Sequence, residues 1–151
     1  MLRIFLFLIS GFLFNSLSAQ GSTNPNPSKS KNSKAVKHRV VMQLTTNDTA
    51  SWKGLMNNLK NLREGWGDAV EIEVVAHSNG IELLMNAKTT QKMKIDEFIH
   101  SGVRFVACEN TMKQKNIKME EILPEVGFVP MGIGEIIMKQ EKGWSYLKAG
   151  L

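Results

Sequence analysis

The single cysteine of this sequence, Cys108, is the residue best suited to covalent chemistry. Only a thiolate attacks sulfur or carbon electrophiles well, and the oriented N–H groups of a helix N-terminus stabilise that anion. Cys108 stands where an apolar segment that predicts a strand runs into a segment that predicts a helix. This position suits a nucleophile or a persulfide carrier. The alternative is a small buried hydrophobic residue, and Glu109 would raise the thiol pKa if its carboxylate lay close.

His77, at the end of the preceding predicted strand, is the second candidate. Near Cys108 its imidazole would act as a base or hydrogen-bond donor and complete a Cys/His pair of the kind that activates thiols. The alternative is a loop histidine that caps a neighbouring backbone group. Glu82 follows in the next short helical turn and points either toward the same site or toward solvent, which is the usual environment of a glutamate.

The elements that must position these residues are those of one α/β domain. Short apolar segments typical of buried strands alternate with segments whose apolar residues recur every three or four positions, as in helices. The predicted strands are 39–45, 70–76, 103–108, 128–130 and an edge strand at 143–147. The predicted helices include one beginning at Asn47–Thr49, one at 90–101, and one with Ile133, Ile136, Ile137 and Gln140 on one face. This order predicts a three-layer α/β/α fold with a mainly parallel sheet of four to five strands.

In open α/β sheets, ligands bind beyond the carboxyl ends of the strands, where several strand-to-helix loops converge. Residues 45–48, 77–80 and 108–111 each follow a predicted strand, so we expect them to face one shared crevice. Asn110 and Thr111 also predict the N-cap of the next helix. The candidate binding residues of this crevice are Asn47, Asn79, Glu82, Asn110, Thr111 and Met112.

No cofactor motif accompanies these residues. Gly132-Ile133-Gly134 lacks the rest of a dinucleotide-binding fingerprint, and the sequence contains no phosphate-binding loop motif. His38, His77 and His100 are too far apart to show ligand-like spacing, so the sequence predicts no metal site.

The N-terminal region predicts export. Arg3, a following apolar segment and the small residues Ser18 and Ala19 predict a secretory signal peptide over residues 1–20, since a membrane anchor needs about 20 apolar residues. Residues 21–37 predict a flexible basic linker that carries much of the net charge of +5. Nucleic-acid binding is therefore not expected. The mature protein is predicted to be periplasmic or secreted, with no stable membrane insertion and no internal disulfide.

Three stretches of the chain together resemble a known family. They are residues 75–84 (VAHSNGIELL), residues 102–112 (GVRFVACENTM), and residues 128–135 followed by Gly143-Trp-Ser-Tyr146. With the Asn-Asp pair before the first predicted helix, they resemble the DsrE/DsrF-like family of small sulfur-relay proteins over residues 38–151. Many members follow the cysteine with an Arg-Gly pair, where this chain has Lys115-Asn116, and Asn also accepts the left-handed conformation that ends a helix.

The resemblance implies an α/β/α fold, homo-oligomers or hetero-oligomers such as dimers, trimers or hexamers, and a persulfide carried at the position of Cys108. A donor protein would load the sulfur and an acceptor thiol would take it, without a metal or organic cofactor. Two further functions remain open at this point. One is a non-catalytic oligomeric binding module in which Cys108 is a structural core thiol. The other is a hydrolase or transferase using Cys108 and His77, for which the sequence supplies no convincing orienting carboxylate.

Overall fold

Five parallel strands form the centre of the part of the chain that this computed structural model describes, residues 37–149. The strands are β1 (His38–Leu44), β2 (Val70–Ala76), β3 (Arg104–Cys108), β4 (Gly127–Val129) and β5 (Ser145–Lys148). Their order in the sheet is β4-β3-β2-β1-β5, and each neighbouring pair is parallel. The predicted parallel sheet is confirmed, with β5 at an edge. The predicted signal peptide and residues 21–36 of the predicted linker lie outside the described residues.

Helical segments make the connections between the strands. The α-helices are α1 (Thr49–Trp66), α2 (Lys92–His100), α3 (Glu109–Lys115) and α4 (Gly132–Glu141), and a 3₁₀ helix, Ser78–Leu84, follows β2. Among residues 37–149 the helices all lack the combination of length and hydropathy that a membrane span requires.

The longest helix, α1, begins at the predicted N-cap segment and ends at a glycine. The side chain of Asp48 accepts hydrogen bonds from the N–H groups of Ala50 (3.2 Å) and Ser51 (2.8 Å), which is the usual N-cap arrangement. Gly67 ends the helix with a φ of 52°, a conformation that favours glycine. Between these caps the buried residues have helical spacing and form one apolar face: Trp52, Leu55, Met56 and Leu59.

The two faces of the sheet carry cores of different size, because successive side chains of a strand point to opposite faces. One face, with Met42, Val74 and Phe105, packs against α1 and α2 in what we term the large core. On the other face, a cluster that we term the small core packs against α4 and consists of Val41, Val75, Val106, Val129, Ile136 and Trp144. Helices on both faces confirm the three-layer α/β/α fold.

The predicted face of the last helix is only partly buried. Ile136 is buried, but Ile133 and Ile137 are 49% and 50% exposed, and Gln140 is exposed. The side of α4 that contacts the sheet carries a lysine, Lys139, which is 8% exposed. Apolar periodicity could not find this face because the sheet supplies a buried carboxylate that pairs with the lysine.

The predicted N-cap of the helix after β3 is also wrong. Cys108 itself occupies the N-cap position, without a side-chain cap hydrogen bond, and Asn110 and Thr111 lie in the first turn of α3. Because Thr111 lies inside the helix and not at its N-cap, its hydroxyl does not cap the helix and can bond a group outside it. At the other end, Asn116 adopts the left-handed conformation, φ 54°, as expected for a helix-ending Asn.

Candidate functional site

The carboxyl ends of β1, β2 and β3 lie side by side at one edge of the sheet. Leu44 pairs with Ala76, and Ala76 pairs with Ala107 on the next strand. His77 and Cys108 come immediately after these paired residues, so both stand at the same level of neighbouring strands. The structure thus places the three predicted loop segments at a common edge.

Gly132, the first residue of α4, lies between His77 and Cys108. Its N–H donates a hydrogen bond to Sγ of Cys108 at 3.2 Å. A Cβ atom at this position would be 3.2 Å from Cβ of Cys108 and 3.2 Å from Cβ of His77. A side chain at this position would therefore press on both residues, and glycine allows the close approach. The sequence drew attention to this residue only as part of an incomplete dinucleotide motif, and its contact with the cysteine comes from the fold.

The thiol of Cys108 is surrounded by hydrogen-bond donors. Burial, the largest single influence, acts to raise the pKa of Cys108, whose residue is 5% exposed. The hydroxyl of Thr111 and the N–H groups of Gly132, Thr111 and Asn110 act in the opposite direction, and together they lower the pKa below the usual value for a cysteine. These donors therefore make the thiolate, the nucleophilic form, easier to reach than in an ordinary cysteine.

Both ring nitrogens of His77 have partners. Gln43 accepts a hydrogen bond from the hydroxyl of Tyr146 through Oε1, so its Nε2 is the donor to Nε2 of His77 at 2.8 Å. Nδ1 of His77 then carries the proton and donates to the hydroxyl of Ser78 at 3.0 Å. Burial lowers the pKa of His77, consistent with a neutral ring. These bonds hold the imidazole at the sheet edge, and its role toward Cys108 stays a prediction.

Ser78 and Thr111 join the end of β2 to α3. The N–H of Ser78 donates to the hydroxyl oxygen of Thr111 at 3.1 Å, and the same hydroxyl acts to lower the pKa of Cys108. Ser78 has a positive φ of 53°, an uncommon conformation for a residue other than glycine. Sequence reasoning missed Ser78 and Gln43. Gln43 gave one usable signal, since it is a polar residue within an apolar strand.

The remaining predicted binding residues are dispersed around this edge. Asn47 and Asn110 are exposed, and Glu82 is partly exposed. Asn79 is exposed, and its Oδ1 accepts a hydrogen bond from Nζ of Lys115 at 2.8 Å. Met112 packs in the large core. Of the predicted site residues, the structure therefore brings Cys108, Thr111 and His77 together: Thr111 lies in the first turn of the helix that follows Cys108, and His77 lies on the other side of Gly132.

Exposed apolar side chains flank the cysteine. Phe128 pairs with Ala107 at the next strand, and Met131 precedes Gly132; they are 37% and 54% exposed. The peptide between them contributes a backbone contact, because the N–H of Asn110 lies 3.2 Å from the carbonyl oxygen of Pro130. Exposed apolar side chains thus occur on the segment that runs from β4 to α4.

Metal-ligating atoms also come together at the opposite edge of the sheet. Atoms of the exposed residues Asp96, His100 and Glu125 lie within 4.8 Å of one another. His100 follows Asp96 by one turn of α2, and its Nδ1 bonds the carbonyl oxygen of Asp96 at 2.8 Å. An ion pair at a helix end accounts for this arrangement, and we assign no metal site to it.

Comparisons with known proteins agree with the fold. The model of the DsrE/DsrF-like family matches residues 38–149. A solved structure, the protein of unknown function MTH1491 from Methanobacterium thermoautotrophicum, is 32% identical with a TM-score of 0.70, covering 74% of this chain and 98% of that one. The protein of unknown function BT1422 from Bacteroides thetaiotaomicron is 20% identical with a TM-score of 0.59, covering 78% of this chain and 99% of that one, and shows the fold alone. None of the curated proteins matches this chain.

Proposed function

This chain belongs to the DsrE/DsrF-like family, and from that premise we propose that it handles sulfur or thiol species through a persulfide formed on Cys108. Membership of the family supports a role related to sulfur relay. The observation that carries the finer proposal is the N–H of Gly132 donating to Sγ of Cys108, within a set of donors that lower the thiol pKa. A thiolate near neutral pH is what sulfur transfer needs.

The proposed reaction is an exchange between sulfur atoms. The thiolate of Cys108 attacks the outer sulfur of a donor persulfide, the S–S bond of the donor breaks, and the donor leaves as a thiolate while Cys108 becomes a persulfide. An acceptor thiolate then attacks the outer sulfur and releases the thiolate of Cys108. The outer sulfur keeps its oxidation state throughout, and the only proton that moves is the one shared between thiol and thiolate forms. The chemistry needs neither a metal nor an organic cofactor.

The burial of the thiol favours a small sulfur species over a bulky electrophile. Cys108 is 5% exposed, so a single added sulfur atom is accommodated more readily than a bulky acyl group. We propose that His77, Asn79 and Asn110 shape the approach to the sulfur, with His77 held by Gln43. The hydroxyl of Thr111 acts to lower the pKa of Cys108.

The direct test uses the mature chain, residues 21–151, incubated with inorganic polysulfide and weighed intact by mass spectrometry. We expect a mass increase of one sulfur atom that dithiothreitol removes. The Cys108→Ser variant is the matched control and gains nothing. If the wild-type protein stays folded by circular dichroism and gains no sulfur, the persulfide mechanism is wrong.

The low exposure of Cys108 also favours a second function, a non-catalytic oligomeric binding module in which this thiol only fills space. The two functions predict different alkylation rates. Under the persulfide mechanism, iodoacetamide modifies the native protein readily near neutral pH. Under the binding-module function, alkylation is slow until the protein unfolds.

We further propose that the protein acts outside the cytoplasm, after cleavage of the predicted signal peptide at residues 1–20. A fusion of residues 1–37 to alkaline phosphatase, which is active only after export, tests this. Activity in the periplasm or medium is expected, and a fusion that remains inactive in the cytoplasm contradicts the proposal. The sulfur donor and acceptor would then be exported proteins or small sulfur compounds.

A homo-oligomer is proposed from the outer surface of α4. Ile133, Ile137 and Met138 are 46–50% exposed on this helix, and Met131 and Tyr146 add exposed apolar area beside it. Contiguous apolar surface of this kind usually marks a contact between protein chains. We propose that a second copy of the chain covers it.

A further inference from the structure

The helix α4 contacts the sheet through one stripe of three residues. Gly132, Ile136 and Lys139 are buried and stand at i, i+4 and i+7, which places them on one side of a helix. Ile133 and Ile137 are half exposed on the other side. The position of α4 is therefore set by a glycine at its first residue, one apolar side chain in its middle and a lysine near its end.

The lysine end of the stripe is held by a buried ion pair. Nζ of Lys139 lies 2.7 Å from Oε2 of Glu73 on β2, and 3.5 Å from Oε1 of Glu135 one turn earlier in α4. The ring of Trp144 covers the ammonium group, with its centroid 4.1 Å from Nζ. Arg104 approaches the same oxygen of Glu73 at 3.2 Å. A buried ion pair adds little stability, but its directional contacts hold the two elements in one relative position.

The glycine end of the stripe has no room to move toward the sheet. Gly132 donates its hydrogen bond to Sγ of Cys108 at 3.2 Å, a close contact for a sulfur acceptor. Hydrogen bonds weaken steeply when donor and acceptor lose alignment. A small shift of α4 away from the sheet would therefore remove this donor from the sulfur.

We infer that Lys139 is a positioning residue for Cys108: its ion pair with Glu73 holds α4 where the N–H of Gly132 meets the sulfur. The two ends of the stripe are about two helical turns apart. A displacement of the helix at Lys139 therefore also moves Gly132. Neither Glu73 nor Lys139 contacts Cys108, and both act only through α4. The inference deepens the proposed function, because it concerns the reactivity of the same thiol.

The test compares the pH profile of alkylation of Cys108 by iodoacetamide in Lys139→Met and Glu73→Gln. If the ion pair holds α4, both variants lose the alignment of the Gly132 N–H with Sγ of Cys108, and both alkylation profiles move to higher pH. We expect alkylation near neutral pH to slow about tenfold in Lys139→Met, and less in Glu73→Gln, where a neutral hydrogen bond remains. If the charges acted directly on the thiol, removing a cation and removing an anion would shift the profile in opposite directions. Opposite shifts, or no shift in either folded variant, would overturn the inference.

Two exposed residues at the same end of α4 supply matched controls. Lys142→Met and Glu141→Gln make the same changes of charge without touching the buried pair, and we expect the wild-type profile from both. Circular dichroism checks that each variant folds. If Lys139→Met does not fold, Glu73→Gln decides the question, because Glu135 still pairs with Lys139 in that variant.

The outcome is separable from that of the proposed function. Alkylation reports the thiolate of Cys108 whether or not the protein carries sulfur, since the chain has no other cysteine. Failure to load sulfur from polysulfide would refute the persulfide mechanism and leave the positioning role of Lys139 supported by its pH profile. Normal sulfur loading with unchanged alkylation profiles in the variants would support the persulfide mechanism and refute the positioning role of Lys139.

Discussion

The N–H of Gly132 lies 3.2 Å from Sγ of Cys108, so the first residue of α4 is bonded to the thiol at the end of β3. These residues are 24 positions apart in the chain. The contact links the reactivity of the cysteine to the placement of the helix that covers the small core. The predictions below concern this contact and its surroundings.

Substitution of Gly132 by alanine tests the close approach. The new Cβ would lie 3.2 Å from Cβ of both Cys108 and His77, so α4 must shift. We expect a loss of about 1–3 kcal/mol in the free energy of unfolding, measured with urea, and slower alkylation of Cys108. Gly134→Ala is the control, because its Cβ would meet only the mobile end of Met131. Equal effects of Gly132→Ala and Gly134→Ala would contradict the close approach of Gly132 to Cys108 and His77.

Removal of the Thr111 hydroxyl should make the thiol less acidic. In Thr111→Val the sulfur of Cys108 loses a donor, and the N–H of Ser78 loses its acceptor. We expect the alkylation profile to move to higher pH and the free energy of unfolding to fall by about 1–3 kcal/mol. Thr111→Ser keeps the hydroxyl and should keep the wild-type profile. A Val variant with an unchanged profile would show that Thr111 does not act on the thiol.

The pH dependence of stability should differ in sign between two histidines. Burial lowers the pKa of His77 from its usual value of 6.5, so its contribution is present above that pH and is lost as the pH falls through the lowered value. The hydrogen bond to the carbonyl of Asp96 raises the pKa of His100, so its contribution is present at acid pH and is lost as the pH rises past the raised value.

Urea unfolding between about pH 5 and pH 8 checks both signs. His77→Gln should reduce the loss of stability on acidification, because the variant has no ring to protonate. His100→Gln, at an exposed position, should reduce the gain in stability on acidification. If the wild type and His77→Gln show the same pH dependence of the free energy of unfolding, protonation of His77 does not contribute to it.

The buried pair of Glu73 and Lys139 should show strong coupling in a double-mutant cycle. Glu73 is 0% exposed, and its Oε1 has no hydrogen-bond partner among the described residues. Lys139→Met should cost about 3–5 kcal/mol, because it leaves this carboxylate without its nearest cation. The double variant Glu73→Leu, Lys139→Met should be close to the wild type or more stable. Additive losses measured in urea would mean that the pair is not coupled.

The exposed outer face of α4 should determine the oligomeric state. Ile137→Glu places a charge in the apolar surface and should convert the oligomer to a monomer, measured by size-exclusion chromatography with light scattering. Lys142→Glu introduces a charge at an exposed polar position of the same helix end and should leave the oligomer intact. A wild-type protein that is monomeric at high concentration would contradict the proposed contact.

Much of the fold was accessible from the sequence because its signals are local. The strand at 70–76 was predicted with the observed bounds, and the others differ by one to a few residues. The caps at Asp48 and Gly67 require only neighbouring residues. The position of Cys108 at a strand-to-helix junction followed from the same local patterns. The errors at α3 and α4 arose where a tertiary contact competed with such a pattern.

The amino-acid sequence by itself determined the parallel sheet, the carboxyl edge where three loops meet, and the family. Only the tertiary structure decided what surrounds the sulfur. The donor from Gly132 arrives from a distant helix, and Lys139 is buried because Glu73 lies opposite it on the sheet. Neither contact produces a periodic pattern in the sequence, because each joins residues that only folding brings close together.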